Sequence, residues 1–108
     1  MTDRNKIKDK RIWKRMAYEL SILSALINYI YFDEDYRNII GKKTWNRLFT
    51  AYRGVIRVKS DCDDIYYNTF DFGAEDLFYG VKYDGEDAAR ELREKIADLL
   101  NSGTEKTR

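Results

Sequence analysis

Residues 54–72 read "GVIRVKSDCDDIYYNTFDF", and the fold class turns on whether this run is extended or helical. Ile56 and Val58 alternate with Arg57 and Lys59, the period of a half-buried strand. "DCDD" at 61–64 supplies a polar reversal, and the aromatic content of "IYYNTFDF" at 65–72 favours a second strand. A further strand is expected around "LFYGVKYD", residues 77–84. The expected fold class is therefore α+β: a long N-terminal helix, one or two short helices, a small antiparallel sheet of about three strands and a C-terminal helix.

Working outward, the helical elements have clearer signatures. Ile12, Met16, Leu20, Leu23, Ile27 and Ile30 recur at spacings of three and four, which predicts one long helix from Asp9 to Tyr31. Trp13, Ala17, Ile22 and Leu26 widen its apolar stripe. Asp33 to Ile40 has room for one or two helical turns before Gly41. Thr44 is placed to cap another helix, with Trp45, Leu48, Phe49 and Tyr52 on one face and Gly54 as its end. Asp84 caps the last helix, Glu86 and Asp87 suit its positive end, and Leu92, Ile96, Leu99 and Leu100 mark its stripe up to a stop at Asn101 and Gly103. The expected core is Leu20, Leu23, Ile27, Leu48, Ile56, Val58, Leu92 and Ile96. A chain of 108 residues forms a single domain, 1–108, with mobile ends expected at 1–8 and 103–108.

The formal charge of +1 conceals a segregation of sign along the chain. Residues 37–60 carry seven basic groups and no acid, whereas residues 61–87 carry nine carboxylates against Lys82 alone. Histidine is absent and Cys62 is the single cysteine, which removes the commonest neutral-pH base, the commonest transition-metal ligand and any internal disulfide. A reducing, cytoplasmic location is the expectation.

The motifs that would mark chemistry fail one by one. A calcium loop opening at Asp61 would put Ile65 and Tyr67 at ligand positions, Tyr66 where glycine belongs and Phe72 at the bidentate glutamate. "DFG" at 71–73 stands without the other kinase elements, and no phosphate-binding glycine loop occurs. Beside its carboxylates, Cys62 is disfavoured as a thiolate. The apolar run "LSILSALINYIYF" at 20–32 spans 13 residues between Glu19 and "DEDY", too short to cross a bilayer. The chain is therefore expected to be no enzyme, to carry no metal and no cofactor, and to stay out of membranes.

Two surfaces remain. Between 60 and 83, Tyr66, Tyr67, Phe70, Phe72, Phe78, Tyr79 and Tyr83 lie among carboxylates, more rings than one face of a small sheet buries. Asp61, Asp63, Asp64, Tyr66, Glu75 and Asp76 are the candidate contacts to a basic protein partner. The corresponding function is a non-enzymatic protein-interaction or inhibitory module, one version of which mimics nucleic acid and occludes a basic partner. The alternative is a DNA- or RNA-binding regulator. "DEDYRNIIGKKTWNRLFTAYRG" at 33–54 reads as helix, glycine turn and helix, with 55–69 as a wing. Lys43, Arg47 and Arg53 would bind phosphates, and Asn46 and Thr50 would meet base edges. A monomer or weak homodimer is expected.

Overall fold

A computed structural model describes residues 4–70, 77–78 and 84–102. Its elements are α1 (Arg4–Ile7), α2 (Lys10–Tyr31), α3 (Glu34–Thr69) and α4 (Glu86–Ser102). The described residues include no strand, so the expectation of an α+β fold is corrected to an all-helical one. Residues 55–69, expected as two strands and later as a wing, continue α3 without a break. Of the third expected strand, residues 79–83 lie outside the described residues.

The physical reason is a stripe that passes through the disputed run. Trp45, Leu48, Tyr52, Val55, Ile56, Lys59, Cys62 and Tyr66 are all buried or half-buried, at spacings that repeat every helical turn. The alternation of Ile56 and Val58 with Arg57 and Lys59 spans only four residues, and Val58 is exposed. "DCDD" contains neither glycine nor proline, so no backbone feature ends the helix there. Gly54 adopts helical geometry in mid-element rather than ending it, and Thr44 lies inside α3 rather than capping it.

Aspartates open the helices. Asp9 Oδ1 accepts the Arg11 N–H at 3.0 Å, Asp33 Oδ1 those of Asp35 and Tyr36 at 3.0 and 3.3 Å, and Asp84 Oδ1 that of Glu86 at 3.0 Å. Each satisfies donors that a helix start leaves open. Gly41 kinks α3 about two turns from its start, at φ 83° and ψ 165°, a region that side chains exclude.

Beyond this kink α3 runs antiparallel to α2, and aromatic pairs fix the register at both ends. Tyr31 stacks on Trp45 at 4.5 Å and 12°, while Trp13 meets Tyr66 at 5.4 Å. Each indole N–H donates to a backbone carbonyl, Trp45 to Tyr31 at 2.9 Å and Trp13 to Ile7 at 2.6 Å. The latter ties α1 down, within a segment expected to be mobile.

α4 packs on α2. Gly85 N–H donates to Ser21 Oγ at 2.7 Å, and Arg93 bonds Asp33 at 2.8 Å, so α4 follows α2 towards its C-terminal end. The core differs from the expected one. Trp13, Ala17, Tyr66, Leu77, Phe78 and Ala89 are buried; Leu20, Ile27, Leu48 and Ile56 are half-buried; Leu23, Val58, Leu92 and Ile96 are exposed.

Candidate nucleic-acid interface

Once α3 is helical through Thr69, the basic residues of 42–57 take up defined positions on its surface. At about 100° per residue, Lys43, Asn46, Arg47, Thr50, Arg53 and Arg57 fall within an arc of about 120°, directly opposite the stripe that packs on α2. All six are exposed. From Lys43 to Arg57 the ridge is about 21 Å long at 1.5 Å per residue. The sequence reading placed five of them; Arg57 was missed because a strand sends it to a face unrelated to Arg53, whereas helical spacing of four sets it one turn beyond.

Local contacts order this face. The Thr50 hydroxyl donates to the Asn46 carbonyl at 3.3 Å, holding it against the helix while its lone pairs stay available. The Arg53 guanidinium lies 5.8 Å from the Phe49 ring centre, and that of Arg37 lies 4.6 Å from Trp45. These contacts limit the freedom of long side chains without neutralising them. Beside the ridge, Phe49, Tyr52, Ile56, Arg53 and Arg57 line a concavity of about 850 Å³.

The acidic candidates separate. Asp61 and Asp64 are exposed on the same outward face of α3, one turn and more beyond Arg57. Asp63 is half-buried. Tyr66 is 1 % exposed and belongs to the core, against Trp13 and Phe78, so its ring is not offered to a partner. Glu75 and Asp76 lie outside the described residues.

Lys59 is the second residue that the strand reading misplaced. Only 9 % exposed, it sits in the middle of the inward stripe. It lines a polar cavity of about 240 Å³ with Ser21, Asn28, Tyr52, Asp84 and Glu86, where α2, α3 and the start of α4 meet. Burial pushes its pKa down and Asp84 offsets this in part. Burial also pushes the Cys62 thiol up, helped by the Asp61 carboxylate, which holds it in the un-nucleophilic form.

Among the described residues no cluster of three histidine, cysteine or carboxylate groups is arranged to hold a metal, and no helix is long and apolar enough to cross a membrane. No protein-family model matches the chain, and neither a curated protein nor a solved structure shows detectable similarity to it.

Proposed function

We propose that the chain binds nucleic acid through the outward face of α3. Lys43, Arg47, Arg53 and Arg57 contact phosphates, and Asn46 and Thr50 stand where base edges are met when the helix enters a major groove about 12 Å wide. One observation carries this reading: the exposed basic ridge lies opposite the packed face of an unbroken helical segment, within a stretch, residues 37–60, that contains no carboxylate. Helix, glycine kink and longer helix support the same use, without a wing.

Fluorescence anisotropy with labelled duplexes tests it. Four phosphate contacts give a slope of log K against log salt of about −3 to −4. Arg47→Ala, Arg53→Ala and Arg57→Ala should each weaken binding to all sequences and reduce that slope by about 1, whereas Asn46→Ala should change sequence preference. Absence of binding to duplexes and single strands of DNA and RNA at low salt would overturn the proposal.

A second reading keeps the exposed Asp61 and Asp64 as contacts to a basic protein partner, in an interaction or inhibitory module. The two readings part on one variant. Asp61→Asn/Asp64→Asn should strengthen duplex binding at low salt if α3 meets phosphates, and leave it unchanged if the ridge has no such role.

A further inference from the structure

We infer that a second copy of this chain covers the apolar end formed by the C-terminal half of α4 and the corner between α2 and α3. The buried core lies at the other end of the hairpin, where Trp13, Tyr66, Leu77 and Phe78 gather. At the α4 end the arrangement is reversed. The Arg93–Asp33 ion pair at 2.8 Å clamps α4 to the corner, and α4 continues nine residues beyond Arg93 to Ser102, about 14 Å of helix.

Phe32, Ile39, Leu92, Ile96, Leu99 and Leu100 stand at this end with exposures from 41 to 80 %. At roughly 150–250 Å² for a large side chain, they present on the order of 600 Å² of apolar surface. That is the upper end of what a monomer leaves open and close to the ~800 Å² per partner of a standard interface.

A like copy fits this surface for three reasons. Leu92, Ile96 and Leu99 follow the four-three spacing of a coiled-coil seam, with isoleucine at the first position and leucine at the fourth, the combination that favours a two-stranded parallel pairing. A two-fold pairing covers the patch on both copies at once. A net charge of +1 opposes self-association only weakly.

Sedimentation equilibrium on the full chain, from micromolar to millimolar concentration, tests the pairing. The expected result is a limiting mass of twice 12.9 kDa, with Leu99→Glu and Ile39→Glu each shifting dimer dissociation at least tenfold while helical circular dichroism is kept. Leu99→Cys in a Cys62→Ser background should form a disulfide-linked dimer on oxidation. A chain that stays monomeric over the whole range overturns the inference, as does a dimer that Leu99→Glu and Ile39→Glu leave equally strong, or one in which the introduced cysteines do not link.

Discussion

Asp33 holds two elements at once. Its Oδ1 caps α3 while its Oδ2 accepts from Arg93 of α4 at 2.8 Å. Burial acts to raise its pKa, but the Arg93 hydrogen bond and the Tyr36 and Asp35 N–H groups overcome it and hold the carboxyl below its ordinary value. A carboxylate with a depressed folded pKa contributes stability above its unfolded value, and that contribution is lost as pH falls through the folded one. Asp33→Asn keeps a capping oxygen and loses the ion pair; Asp33→Ala loses both. Urea midpoints at neutral pH should fall in the order wild type, Asn, Ala, and the gap between wild type and Asn should close on acidification. Lys59 carries the opposite sign. Its pKa is lowered by burial, so between that value and the unfolded 10.5 the unfolded chain binds more protons and stability rises with pH. Lys59→Met should raise the urea midpoint at neutral pH, by an amount that shrinks as pH approaches the unfolded value; a lowered midpoint would show that the ammonium's contacts outweigh its burial.

Two glycines set how the helices meet. A Cβ on Gly85 would lie 2.4 Å from an Ile22 side-chain carbon and 2.5 Å from its backbone nitrogen, and a backbone cannot swing aside. Gly85→Ala should therefore cost about 1–3 kcal/mol and loosen α4 from α2. At Gly41 the space is open and the obstacle is φ 83°, for which Gly41→Ala should cost a similar ~1–3 kcal/mol through backbone strain. Chemical denaturation gives both values, and hydrogen exchange should report α4 opening only in the Gly85 variant. These elements also show how much the sequence disclosed. The limits of α2, the short helix before Gly41 and the cap at Asp84 were legible, because capping residues and a repeat over many turns are local signals. The run 54–69 was not. Alternation over four residues fits a strand and a helix alike, and pairing with α2, a contact distant in sequence, decides between them. With the strand reading went Arg57 and Lys59, whose placement depends on the period.

At the scale of the whole molecule the charge segregation becomes geometry. Among the described residues, the basic groups of 37–60 and the acidic groups of 61–87 do not face each other across a sheet; those on α3 follow one another along a single helix, basic first. Lysines after the Gly41 kink meet the positive end of the helix dipole, which raises the potential seen by an approaching phosphate. The exposed apolar stripe of α4, expected in the core, is the other whole-molecule departure: amphipathic spacing marks a face to be covered, and does not say whether the same chain covers it.

Titration of unlabelled duplex DNA into isotope-labelled protein, followed by NMR, tests the central claim most directly, because one set of spectra reads both the helix and its use. The account predicts helical Cα shifts without interruption from Lys42 to Thr69, and perturbations on binding concentrated at Lys43, Asn46, Arg47, Thr50, Arg53 and Arg57, with Lys59 and Tyr66 little changed. Extended shifts over 55–69, or perturbations centred on Asp61 and Asp64 with the basic ridge silent, would contradict it.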